Sequence, residues 1–466
     1  MAVHRDIDVG FEVACGLVAA LLLCAGTIAA HTYSLPPDEK AAESRRAVGI
    51  RLDREPIDPN PYQEASDLPR ALRVRGDRVV ARREPTTRCP RRGVIVRGTR
   101  LPALDRREGH GCGSPWYRVA IDAWVCGDKL EEVDEPPWGR PQPPVPEGRI
   151  TPWRYAFVHT PDIEYRGGGG GLREVREVFK GFGFGVRAFV KVAGMRFFRT
   201  VEGRLVPRRS AGIGGRISEL KGVGLGRGGP WPVGWVNSRR AWAYDAPSAR
   251  REHRIARVER YTPFQVLEER GKGRRRFYRF DEGAWLRARD VRVTRDAPLP
   301  RGVEPGERWI DVDRARQIIT AYEGSVPVYA TLVSTGRPRT PTVPGRFRIW
   351  IKVAAIAMDN TDEELEEEEG DGWEDEESGA DAGVAEEERH LYSLHDVPWT
   401  QFFHESYGMH GVYWHDGYGN RRSHGCVNLA PRDARWFFDW TRPRVPDGWW
   451  AINSSDSDPG TIVRVR

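Results

Sequence analysis

Hydrophobic and polar positions change their pattern several times along the chain. Residues 13–30 are an almost unbroken run of small and aliphatic side chains. That length suits the core of a signal peptide or a short membrane anchor. A polar stretch opened by Pro36-Pro37 follows and reads as a linker through residue 70. From Arg73 onward the apolar residues come in short runs bounded by Gly and Pro, such as Val79-Val80-Ala81, Gly93-Val94-Ile95-Val96 and Trp116-Tyr117-Arg118-Val119. Runs of that length and punctuation predict short strands. Phe189-Val190-Lys191-Val192 and Met195-Arg196-Phe197-Phe198 read as paired strands, with Ala193-Gly194 as the tight turn between them. A short helix is expected near Pro431 to Trp440. The fold expected from this texture is mainly β.

At 466 residues the chain exceeds one ordinary domain. A hydrophobic content of 39% with 17 Trp is enough for packed cores. The formal charge of +6 conceals an asymmetry: residues 361–466 hold 9 Arg, no Lys and 24 acids, so the preceding 360 carry about +21. A field of that sign favours polyanions or an anionic membrane surface. Within 361–388, 16 of the 28 residues are Asp or Glu, a self-repelling block that reads as a disordered insertion. It lacks the ligand alternation of a calcium loop.

Several chemistries are excluded. The glycines at 167–171 and 181–185 form neither a phosphate loop nor a dinucleotide fingerprint, so nucleotide binding is not expected. No His-Glu-x-x-His is present, and no Cys-x-x-Cys, which argues against a metal centre built on His404, His410, His415, His424 and Cys426, or on Cys89, Cys112 and Cys126. Cys112 and Cys126 flank the hairpin Trp116–Val125, where a disulfide would span it, leaving Cys89 free. Neither a cofactor nor a metal is expected.

Cys15 and Cys24 lie in the apolar N-terminal run, and the last cysteine, Cys426, lies in Ser423-His424-Gly425-Cys426-Val427-Asn428, sixteen residues after His410. A thiol attacks as its thiolate, and at about pH 7 an unperturbed one is only a few per cent ionised. A histidine beside it can take the proton. The separation fits two adjacent strands joined by the turn-rich Asp416-Gly417-Tyr418-Gly419-Asn420. Gly425 allows close backbone approach, so main-chain N–H groups of Gly425 and Cys426 are candidate oxyanion donors.

This string resembles the signature of the L,D-transpeptidase (YkuD-type) catalytic domain: a histidine, a gap of a dozen or more residues, then Ser/Thr-His-Gly-Cys, a hydrophobic residue and Asn or Arg. Trp309-Ile310-Asp311-Val312, Gln317 and Val328 to Gly336 resemble its opening strands. Thr340-Pro341-Thr342 and Pro344-Gly345-Arg346-Phe347 resemble its Thr-Pro-x-Gly-x-Phe turn. The segment Trp116 to Gly127 is similar to the end of a bacterial SH3-like domain.

The resemblance implies a layout of export segment (1–35), linker (36–70), SH3-like domain (71–135), Pro-rich linker (136–150), middle β region (151–298) with a second SH3-like unit in its later part, and catalytic domain (305–466), the last a mixed β-sandwich with a short helix. It implies a transferase with Cys426 as nucleophile and His410 as base and then acid, the Gly411 carbonyl orienting His410. Ser423, His424, Asn428, Tyr413 and Trp399 are expected to line the site. The implied substrate is the peptidoglycan stem peptide, attacked through a thioester and resolved by an amine, as a 3→3 crosslink or an attachment to the wall. Water as the resolver would make an L,D-carboxypeptidase, and a non-catalytic wall-binding protein is the reading from another class. The expected address is the periplasm or cell envelope, with membrane attachment through the N-terminal segment and no nucleic-acid partner.

Overall fold

The computed structural model describes residues 68–168, 171–215, 217–359 and 392–466. The apolar N-terminal run, nearly all of the linker after it and the acidic block at 361–388 lie outside the described residues. Among the described residues, no helix is long and apolar enough to cross a membrane. The chain divides into two compact units, 1–150 with 446–450, and 151–445 with 451–466.

In the first unit, Ala71–Val74 lies between Arg100–Leu101 and Leu130–Val133 in a three-stranded antiparallel sheet. Arg78–Arg82 pairs with Arg91–Val96, and the hairpin Trp116–Ala120/Ala123–Cys126 carries Asp105–Arg107 on its outer edge. Alternation along these strands sends Leu72, Val79, Ala81, Ile95, Val119 and Val125 inward. Cys112 and Cys126 are joined in a disulfide, and Cys89 is a free thiol.

The second unit begins with antiparallel hairpins. Strand β1 (Gly183–Val192) pairs with β2 (Met195–Thr200), and β2 with β3 (Leu205–Pro207). Ala193 and Gly194 both have positive φ, 48° and 81°, as a two-residue turn that follows the strand twist requires. Residues 233–293 form a smaller set of strands around Val236, Ala241, Phe264, Tyr278, Leu286 and Val291.

The C-terminal part contains two sheets. In the first, β4 (Arg308–Asp313), β5 (Ile318–Glu323) and β6 (Val326–Leu332) form an antiparallel meander. The last strand of the chain, Ile462–Val465, lies parallel to β4 and antiparallel to β7 (Gly345–Arg348). In the second sheet, β8 (Ile351–Asp359) pairs with β9 (Ser393–His404), β9 with β10 (Tyr407–Gly411), and β10 runs parallel to β11 (Val427–Leu429).

Helix α1 (Pro431–Trp440) follows β11 directly. Proline at its first position has no N–H to leave unpaired, and Ala434, Phe437 and Phe438 recur at helical spacing as its buried stripe. Two buried charged groups tie the helix to both sheets. Asp433 accepts hydrogen bonds from Tyr329 Oη and Thr331 Oγ1 of β6 and from Gly222 N–H. Lys352 of β8 donates to the carbonyls of Phe438 (2.6 Å) and Thr441 (2.9 Å), where the helix dipole presents its negative end.

Burial lowers the Lys352 ammonium to about 7, against about 10.4 for an unfolded lysine. Between those values the unfolded chain binds more protons than the folded one, so stability rises with pH across that window. Lys352→Met should destabilise the protein by about 2 kcal/mol, because it leaves two buried carbonyls without a donor. It should also flatten the rise of the thermal midpoint between about pH 7 and 10. Calorimetry at a series of pH values checks both effects, and a slope unchanged in the variant would assign the rise to another group.

Candidate active site

The loop that carries Cys426 is built by sheet register. On the parallel pair β10–β11, Met409 lies opposite Val427, His410 opposite Asn428 and Gly411 opposite Leu429. Met409 and Val427 are fully buried in the core. Side chains alternate along a strand, so His410 and Asn428 share the opposite face, and Cys426, two residues before Asn428, projects to that face with them. The thiol is partly exposed, and its Sγ contacts the Ser406 carbonyl at 3.7 Å.

His410 is buried, with Nδ1 3.4 Å from its neighbour's carbonyl, Gly411 O. That contact places the ring proton on Nδ1 and leaves Nε2 as the acceptor. The Trp414 ring stacks on the imidazole with centroids 5.8 Å apart.

The turn before Cys426 is fastened on both sides. Ser423 Oγ donates to the Cys426 carbonyl and accepts the Gly425 N–H at 3.2 Å. Thr342 Oγ1 donates to Gly425 O at 2.6 Å and accepts Gly336 N–H, while Thr340 Oγ1 donates to Ser423 O. Arg337 N–H also reaches Ser423 O, and Arg422 N–H reaches Thr335 O. The Thr340-Pro341-Thr342 turn therefore clamps the loop that carries Cys426. Sequence reading noticed that turn only as a resemblance; two threonines flanking a proline were the available signal.

The residues expected to line the site divide into two sets. His424 is exposed and stacks on Tyr392 at 5.0 Å. Asn428 is buried on the Cys426 face, and its amide lies 2.9 Å from His415 Nε2. Gly417 N–H donates to His415 Nδ1, and the Asn428 amide nitrogen Nδ2 is the atom that faces His415 Nε2. Ser423 is buried and holds the loop. Tyr413 and Trp399, by contrast, belong to the core. Tyr413 is fully buried, stacked on Tyr155 at 3.5 Å and hydrogen-bonded to His395 O. Trp399 is 2% exposed. Tyr155 of the middle region gives Tyr413 a buried face to stack on, and Trp414 is the aromatic that reaches the imidazole.

The oxyanion expectation also changes in part. Gly425 N–H is engaged by Ser423 Oγ, whereas Cys426 N–H has no acceptor among the described residues. Cys426 is thus the better placed of the two donors.

Residues 307–465 match the model of the YkuD L,D-transpeptidase catalytic domain. This segment is an L,D-transpeptidase catalytic domain. Over 106 residues the chain is 28% identical to the probable L,D-transpeptidase 3 of Mycobacterium tuberculosis, a match covering 23% of this chain and 33% of that one. The chain therefore spans about a third of that relative's length. Among solved structures, the Enterococcus faecium L,D-transpeptidase is similar at 21% identity, over 35% of this chain and 50% of that one, with a TM-score of 0.24. L,D-transpeptidase 3 of Mycobacterium tuberculosis is similar at 16% identity over 39% and 73%, also with a TM-score of 0.24.

Burial disfavours the charged forms of both Cys426 and His410. Burial pushes the Cys426 thiol up from its ordinary value, and the Gly408 N–H offsets part of that rise. Burial lowers His410 to about 4, with the Gly411 carbonyl opposing. His415 is lowered to about 4 as well, by burial first and then by Arg422 and His410. A neutral imidazole with a free Nε2 is the form that can accept a proton. The histidines and cysteine weighed as metal ligands do not converge; among the described residues, the cluster with ligand spacing is Cys112, Cys126 and Asp128, and its two sulfurs are bonded to each other.

Gly425 sits at φ +136°, and a Cβ there would come within 2.8 Å of Tyr407 Cε1. Gly425→Ala should therefore shift the nucleophile and lower Cys426 acylation at least tenfold while the fold survives. Intact-mass kinetics with a β-lactam, alongside a circular dichroism melt, would check it; full reactivity would mean that the loop tolerates the side chain.

Proposed function

We propose that the protein is a cysteine-dependent L,D-transpeptidase acting on peptidoglycan stem peptides through a thioester acyl-enzyme. The observation that supports this reading is the shared face of Cys426 and His410, with Nδ1–H held by Gly411 O so that Nε2 is the proton acceptor. Cys426 Sγ attacks the carbonyl carbon of the bond between the third stem residue and the D-Ala after it, and its proton passes to His410 Nε2. The C–N bond breaks as His410 returns that proton to the departing D-Ala amine. An amine from a neighbouring stem, or from another wall acceptor, then attacks the thioester, giving its proton to His410 and restoring the thiol. Cys426 N–H stabilises the oxyanion in both halves, a type of contact worth about 3 kcal/mol. Trp414 shields His410 and helps keep it neutral.

The cell envelope is the compartment this chemistry requires. An apolar N-terminal segment and a disulfide-bonded pair fit an exported protein. Incubating the purified protein with muropeptides and reading the products by mass spectrometry tests the reading. Crosslinked dimers are the expected result. Trimmed stems without dimers would mean that water resolves the thioester, and wall binding without turnover would overturn the catalytic reading.

A further inference from the structure

The turn that joins His410 to Cys426 is gripped from outside the catalytic segment. The strands Val233–Val236, Pro263–Gln265 and Val291–Val293 precede residues 307–465 and pair into one antiparallel sheet. Arg260, just before the second of these strands, donates from Nη1 to Asp416 O at 2.9 Å and from Nη2 to Tyr418 O at 3.0 Å. Its Nε reaches Asn237 O at 3.0 Å and ties the guanidinium to its own sheet. Arg292 Nε donates to Gly419 O at 3.1 Å, and Asn237 Nδ2 to the same oxygen at 3.3 Å. Tyr261 Oη donates to Asp416 O, and Ser218 Oγ to the Asp416 carboxylate. Two arginines thus hold the carbonyls of Asp416, Tyr418 and Gly419. Hydrogen bonds from a charged donor are roughly twice as strong as neutral ones, and the rigid guanidinium fork fixes direction as well as distance. The approach is close: a Cβ on Gly419, at φ +82°, would come within 2.4 Å of Asn237 Oδ1. Tyr261 holds φ 71°, a conformation that is strained for a bulky residue and persists where its surroundings over-determine it.

From this turn, contacts run to both reacting residues. Gly417 N–H donates to His415 Nδ1, and His415 Nε2 lies 2.9 Å from the Asn428 amide. Asn428 is the register partner of His410 and shares the face of Cys426. Trp414, two residues before Asp416, stacks on the His410 ring. Arg422 and Asp416 are the charged groups that act on His415. A shift of the turn would therefore disturb the base through Trp414 and the strand after the thiol through His415 and Asn428. We propose that Arg260 and Arg292 are positioning residues, which hold residues 416–419 so that His410 stays set against Cys426. The inference rests on the reading of those two as base and nucleophile. It gives the strands of 233–293 a part in the reaction, although neither arginine contacts the thiol or the imidazole.

A misplacement of about 1 Å caused far from the chemistry can cost about 10²-fold in rate. In full-length Arg260→Met, the saturating rate of Cys426 acylation by a carbapenem should fall at least tenfold, while the half-saturating concentration changes less than about twofold. The pH profile of that rate should lose its plateau and climb with pH, because attack then waits on spontaneous ionisation of the thiol. Arg292→Met removes a single contact to the turn, so it should show the same change at about threefold, and it carries the test if Arg260→Met does not fold. Arg257→Met, at an exposed arginine of the same strands that lies over Trp242, should match the wild type in rate and profile. Lowered melting points with rate and plateau intact would make the two arginines structural supports and overturn the proposal alone. A wild-type protein that takes no adduct at Cys426 would instead overturn the catalytic reading beneath it.

Discussion

Cys426→Ala should abolish acyl transfer while leaving the fold intact. The side chain is partly exposed, its polar contacts are the long 3.7 Å one to Ser406 O and the Gly408 N–H, and neither Ser423 nor Thr342 uses it to hold the loop. Removing one sulfur therefore costs little packing, and the thermal midpoint should move by no more than about 2–4 °C. The chemical loss should be total because the other free thiol among the described residues, Cys89, lies more than 300 residues earlier in the chain, in the other compact unit. Ser423, the nearest hydroxyl by sequence, is buried and committed to the Cys426 carbonyl. Product analysis with muropeptides, together with intact-mass detection of a carbapenem adduct on the wild type alone, decides the point. A folded alanine variant that still forms crosslinks would remove Cys426 from the mechanism.

The parts legible in the sequence were those fixed by local chemistry. Ala193-Gly194 marked a hairpin because a two-residue turn demands positive φ, and Pro431 opens a helix whose apolar spacing is visible in ten residues. The spacing from His410 to Cys426 was readable because a strand, a glycine-rich turn and a second strand consume about that much chain. What could not be read depends on contacts distant in sequence. Tyr413 turned inward because Tyr155, more than 250 residues earlier, supplies a face for it to stack on. Gly425 N–H was engaged by a hydroxyl only two residues away, yet that requires a rotamer no motif specifies. Lys352 gives no sign in an apolar strand that its ammonium caps a helix eighty-six residues later. The clamp by Thr342 is of the same kind, joining two motifs that the sequence presents separately.

His410→Ala should lower acylation by about 10²–10⁴ and change the shape of its pH dependence, which separates loss of a base from loss of structure. In the wild type His410 titrates at about 4, because burial disfavours its charged form. As pH falls through that value Nε2 becomes protonated and can no longer accept the thiol proton, so the acid limb of the rate should lie near pH 4 with a plateau through neutrality. Without the imidazole, attack must wait for spontaneous ionisation of Cys426, whose thiol burial has raised. Residual activity should then climb tenfold per pH unit through neutrality, where the wild type is flat. Histidine replaced by glutamine should behave like alanine, since an amide fills the space but cannot take the proton. Single-turnover acylation rates from pH 4 to 10 supply the comparison. A plateau retained in the alanine variant would show that a different group, with His415 the nearest candidate, accepts the proton from sulfur.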